Sequence, residues 1–126
     1  MIAVIFEVWP TDGRKDDYLG IAASLRAELD KIDGFISIER FQSLTDPKKI
    51  LSLSFWRDEQ AVTKWRNHTG HRESQKLGRA GIFADYRLRI AAVTRDYGKT
   101  DRTEVPDDSR IIHDLSSKAL EGTNNG

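Results

Sequence analysis

The chain has 126 residues, enough for one domain with a real core and tight for two. Its 20 basic and 20 acidic side chains cancel, so no global field draws it to nucleic acid or to an anionic membrane. It has no cysteine, which excludes disulfides, thiolate metal sites and a cysteine nucleophile.

Residues Ile2 to Trp9 form a run rich in β-branched and aromatic side chains, closed by Pro10, and read as a strand. The run is apolar but too short to span a bilayer. It also lacks the basic start and small-residue cleavage site of a signal peptide, so a cytoplasmic location is expected. Thr11, Asp12 and Gly13 offer a turn and a cap. Tyr18, Ala22, Leu25, Leu29 and Ile32 then recur at helical spacing as one apolar stripe, and Gly34 stands where such a helix ends. Phe35 to Phe41 and Ile50 to Trp56 read as a hairpin turning through residues 45–49. Asp58 is the expected N-cap of a second helix through Ala61, Val62 and Trp65, reaching about Leu77. Tyr86 to Tyr97 reads as the last strand, with Leu88, Ile90 and Ala92 on one face and Arg87, Arg89 and Ala91 on the other.

The order strand, helix, strand, strand, helix, strand predicts an α+β, ferredoxin-like βαββαβ domain. Its four-stranded antiparallel sheet would carry both helices on one face. In the first strand both alternating sets, Ile2, Val4, Phe6, Val8 and Ala3, Ile5, Glu7, Trp9, are mostly apolar. The sheet face without helices therefore needs a cover, most simply a second copy of the chain, and a homodimer is expected. The domain is placed at residues 1–98. Residues 99–126 read as a polar extension, a linker followed by a short amphipathic stretch around Ile111, Ile112, Leu115 and Ala119.

The segment most suggestive of chemistry runs from Trp65 to Gln75. On a helix, Trp65, His68 and Arg72 fall within about 60° of one another, beside a stripe of His68, His71 and Gln75. Histidine is the side chain best matched to proton transfer near neutral pH. The alternative is a core tryptophan beside two polar residues at a helix edge. No metal site is expected: the His-x-x-His pair lacks a third ligand, and the HExxH pattern is absent. Glu7 interrupts an apolar strand and is either a pocket acid with a raised pKa or the partner of Arg87, Arg89 or Arg40. Trp9 and Trp56 end strands and are candidate walls of the same pocket. Ser24, Ser52 and Ser54 have no neighbouring base to make a nucleophile, and phosphate-binding, GxSxG and EF-hand patterns are absent.

The stretch SFWRDEQAVTKWRNHTGHRESQKLGRAGIFADYRLRIAAVTRDYG, from Ser54 to Gly98, resembles the antibiotic biosynthesis monooxygenase domain family. Its FW-R-D-E opening, the W-R-x-H-x-x-H-R-x-x-Q-x-x-G-R run, Y-R-L-R and the closing R-D-Y carry the resemblance. It implies a protomer that pairs through its sheets into a dimeric α+β barrel. It also implies an oxygenase acting on an electron-rich aromatic small molecule such as a phenol or quinol, without cofactor or metal. The catalytic candidates are then His68, His71 and Arg72, with Trp65, Glu7, Trp9, Trp56 and Gln75 lining the pocket. A haem-binding or haem-degrading protein is the second reading. It matches at Trp65 but meets Glu7 and Gln75 where that branch has asparagine and histidine. A non-catalytic ligand-binding dimer is the third.

Overall fold

A computed structural model describes residues 1–68, 72, 73, 76 and 81–110. The chain divides into two compact units, Met1–Ala92 and Val93–Gly126. The first holds strands β1 (Ile2–Pro10), β2 (Phe35–Gln42), β3 (Ile50–Trp56) and β4 (Phe83–Ala92). Between them lie helices α1 (Lys15–Ser24), α2 (Arg26–Asp30) and α3 (Glu59–Arg66). The sheet order is β2-β3-β1-β4 and every neighbouring pair is antiparallel. This is the expected α+β, ferredoxin-like arrangement.

Three boundaries differ from the sequence reading. The helix expected from Tyr18 to Ile32 is interrupted at Leu25, which separates α1 from α2. The stripe survives the break, with Tyr18, Ala22 and Leu29 all buried. The last strand is Phe83–Ala92 rather than 86–97, its start set by pairing to the end of β1. Helix α3 ends at Arg66 with Asn67 as its C-cap, short of the expected Leu77, so His68 does not continue the helix of Trp65. The chain from there to Leu77, and the amphipathic stretch from Ile111, fall largely or wholly outside the described residues.

Two sequence signals act as local anchors. The Asp58 carboxylate accepts the Ala61 backbone N–H at 2.9 Å and so caps α3. Arg57, next to it, donates to both carboxylate oxygens of Asp33 at 3.1 and 3.0 Å and to Asp58 at 3.0 Å. Asp33, first, and then Asp58 raise the Arg57 pKa above its ordinary value. Gly34 takes φ +92°, and a β-carbon there would meet the Ala61 β-carbon at 2.7 Å, so the position admits only glycine without strain.

Strand alternation assigns the two faces. Ile2, Val4, Phe6 and Val8 of β1 belong to the clusters that pack on the helices. One cluster gathers Val8, Tyr18, Ile50 and Ile82, the other Leu29, Trp56, Ala61 and Val62. The opposite face carries Ala3, Ile5, Glu7 and Trp9 of β1, opposite Phe55, Leu53 and Leu51 of β3 and Ala91, Arg89 and Arg87 of β4.

In the second unit, described as far as residue 110, Arg102 lies over the Tyr97 ring at 5.5 Å and donates to the Gly98 carbonyl at 3.1 Å. Among the described residues no helix is long and apolar enough to cross a membrane.

Candidate active site

The site is a gap in the core. Along β3 the helix-side residues are Ile50, Ser52, Ser54 and Trp56. Ile50 belongs to the first cluster and Trp56 to the second, so two serines stand where the core would be continuous. Cross-strand register extends each serine into a row. Arg40, Ser52, Phe6 and Leu88 make one row; Ile38, Ser54, Val4 and Ile90 make the next. Small side chains between large ones leave a hollow beneath α1, α2 and α3, open along β4 where Tyr86, Leu88 and Ile90 are exposed.

The cavity encloses about 450 Å³, within the range of small-molecule sites. Phe6, Tyr18, Phe83 and Tyr86 wall one end; Phe83 meets Tyr18 and Phe6 edge-on at 5.6 and 5.8 Å. Trp56 and Trp65 wall the other, with Ile21, Leu25, Val62 and Leu88 between. Polar groups are few. Ser54 accepts the Trp56 indole N–H at 2.9 Å. Arg40 and Asp85 line opposite sides, on the two edge strands, and exposed Arg66 stands on α3.

The predicted site residues separate. Trp56 and Trp65 line the cavity. His68 stands one ring behind the wall: it stacks on Trp65 with ring centres 5.4 Å apart, and its Nε2 lies 3.4 Å from a Glu28 carboxylate oxygen. Arg72 follows on the same backbone path, its N–H bonded to the His68 carbonyl at 3.0 Å and its guanidinium donating to Asn67 at 2.8 Å. His71 and Gln75 lie outside the described residues. Glu7 and Trp9 are on the other face of the sheet and are not among the lining residues. Glu7 is paired with Lys49 and Arg89 there, not with Arg40. The hydrogen bond from Lys49, and next that from Arg89, lower its pKa from the ordinary 4.5 rather than raising it. Trp9 donates its indole N–H to Asp46 at 2.9 Å beneath the Lys49 ammonium. Sequence reasoning passed over Arg40 and the two floor serines as site residues. The signal for them was period-two spacing along β2 and β3, which needed the hairpin register to interpret. Among the described residues no group of three or more His, Cys, Asp or Glu side chains could hold a metal.

Residues 1–77 match the family described as antibiotic biosynthesis monooxygenase. The chain belongs to that family. A relative from Pyricularia oryzae, named jasmonate monooxygenase ABM, is 52% identical over 94 residues, covering 75% of this chain and 44% of that protein. The chain thus spans less than half the length of this curated relative. Solved structures in the antibiotic biosynthesis monooxygenase fold superpose on it as well. SnoaB, described as a cofactor-independent oxygenase from Streptomyces nogalater, matches with TM-score 0.66 at 10% identity, covering 75% of this chain and 94% of that one. A conserved protein from Methanosarcina mazei matches with TM-score 0.65 at 20% identity over 71% of this chain and 89% of its own. At such identities the likeness concerns the fold, and the family match is the statement about kinship.

Proposed function

We propose that this chain is a monooxygenase that transfers one atom of O₂ to a small, ring-bearing molecule held between sheet and helices. The observation that carries the reading is the aromatic-walled cavity of about 450 Å³, in a chain of this family. The names of the Pyricularia protein and of SnoaB support oxygen chemistry on a small molecule.

An electron-rich phenol or quinol suits such a cavity, because its anion can itself reduce O₂. Loss of a proton gives the anion, and one-electron transfer to O₂ followed by recombination forms a C–O bond as a hydroperoxide. Loss of water then leaves a carbonyl. A ring C–H ortho or para to the oxygen thus becomes C=O: the substrate gives up four electrons in all, one oxygen atom enters the product and the other leaves as water. The protein must supply a dry pocket and a base, with no added cofactor. Aromatic side chains wall the cavity at both ends, and along β4 it stays open, with Tyr86, Leu88 and Ile90 55%, 50% and 45% exposed, so the dry pocket of this reading needs that side covered. His68 is the base of this reading, working from behind the Trp65 wall through one water at the cavity rim: its Nε2 stands against Glu28, its ring stacks on Trp65, and it is not among the lining residues. The test is oxygen uptake with a quinol panel, run with and without chelator and hemin, on wild type and His68→Ala. Uptake without additives that falls at least about 100-fold in the variant supports the reading. Unchanged uptake removes His68 as base, and uptake only with hemin favours the haem protein.

A second copy is proposed to cover the sheet face that carries Ile5, Leu51, Leu53 and Phe55, with Phe41 exposed at its edge. Light scattering that finds a single protomer removes this pairing.

A further inference from the structure

We infer that Arg40, with Ser52 beside it, is a carboxylate-binding end of the cavity, so that the substrate is an anion as well as a ring. The inference deepens the oxygenase reading and rests on it for the presence of a substrate. Arg40 is on the helix side of β2, across from Ser52, and lines the cavity. Its Nε is buried, and among the described residues no hydrogen-bond acceptor is found for it. A guanidinium is always charged, and a buried donor without an acceptor is costly. Every other arginine in the sheet is either outside this cavity or turned to the opposite face, as Arg87 and Arg89 are.

The chemistry that matches the terminal N–H pair of a guanidinium is a planar group accepting two parallel N–H bonds, which a carboxylate provides and a ketone does not. Ser52 is 7% exposed and adds a hydroxyl donor one strand away. The lining sets the direction of binding. Asp85 borders the far end on β4, but it pairs in register with Trp9, on the face of Arg87 and Arg89, and its carboxylate accepts the Tyr86 backbone N–H at 2.8 Å, so Arg40 marks the anion end and the rings beyond it the apolar end. The ring then extends from Arg40 over Phe6 towards Phe83 and Tyr86.

Two probe pairs differ only in the charged group: 1,4-dihydroxy-2-naphthoate against 1,4-dihydroxynaphthalene, and jasmonate against methyl jasmonate. Binding is read from quenching of the cavity tryptophans, and turnover from oxygen uptake. Wild type should bind each acid about 10- to 100-fold more tightly than its neutral partner. Arg40→Gln should erase that preference by weakening the acids far more than their neutral partners, and Arg40→Lys should keep part of it. Equal binding of acid and neutral forms by wild type, retention of the preference in Arg40→Gln, or binding of neither pair overturns the assignment. If the neutral quinol is turned over as well as the acid, the oxygenase reading stands without the anion site. If acids bind through Arg40 yet no probe drives oxygen uptake, the anion site stands and the oxygenase reading falls.

Discussion

Replacing Ser52 by leucine asks whether the gap between the two core clusters is truly a hollow. Ser52 is buried at 7% exposure, flanked by Arg40 and Phe6, and sits between Ile50 and Trp56 along its own strand side. In a close-packed core the added carbons would force off-rotamer side chains and cost about 1–3 kcal/mol. Over a cavity of about 450 Å³ they have room, and the sign reverses. About two or three newly buried carbons gain roughly 0.8 kcal/mol each. The lost leucine rotamers return about 0.5–1 kcal/mol. A net stabilisation of about 1 kcal/mol remains, which for a domain this small raises Tm by about 4–8 °C. The same side chain occupies ligand space, so binding of jasmonate or 1,4-dihydroxy-2-naphthoate should weaken at least tenfold. Urea and thermal unfolding with tryptophan quenching read both quantities. A variant destabilised by 2 kcal/mol or more, or one that binds both probes as wild type does, refutes the reasoning, because the floor would then be packed or irrelevant.

Three further substitutions and one titration test the frame around the site. Ser54→Ala leaves the buried Trp56 indole N–H without its acceptor and should cost about 1–3 kcal/mol by urea unfolding, in contrast to Ser52→Leu. Gly34→Ala meets both the φ of +92° and the Ala61 β-carbon, and should lower stability by about 1–3 kcal/mol in thermal melts. Asp58→Ala removes the cap of α3 and should cost about 0.5–2 kcal/mol, with Asp58→Asn recovering most of it. Glu7, Asp33, Asp46 and Asp58 all titrate below their ordinary values of 4.5 and 3.8. The unfolded chain therefore takes up protons first, and stability present above those values is lost as pH falls through the depressed ones. Urea midpoints should decline from about pH 5 downward and decline less in Glu7→Gln, whereas parallel curves would remove Glu7 from the account.

The fold was legible because its signals were local. Breakers at Pro10 and Gly34, the cap at Asp58 and the hairpin between Phe41 and Ile50 mark element ends without any tertiary knowledge. The misjudged boundaries were those set by partners. β4 begins at Phe83 because the end of β1 pairs with it there, beyond a register shift at Trp9 and Pro10. The break at Leu25 leaves the apolar stripe intact, so periodicity alone could not show it.

The site was less legible, and parity is the reason. Glu7 and Trp9 share a strand with Val4 and Phe6, and proximity in sequence suggested one pocket. Side chains alternate with period two, so odd and even positions of β1 face opposite ways. When one set is polar the choice is visible from sequence. Here both sets are mostly apolar, and only pairing shows that the even set meets the helices. The charged residue that attracted notice, Glu7, is the one already satisfied, held by Lys49 and Arg89 on the opposite face. Arg40, which the sequence offers only as a partner for Glu7, lines the cavity with a buried Nε that no described acceptor meets. A pocket that oxidises an anion needs a cation at its edge more than an acid at its centre, because a carboxylate in the apolar middle would repel the substrate and stabilise the wrong charge. Parity therefore decides the polarity of the site as well as its members. Arg40 faces the hollow, and Glu7, held by Lys49 and Arg89, faces away from it.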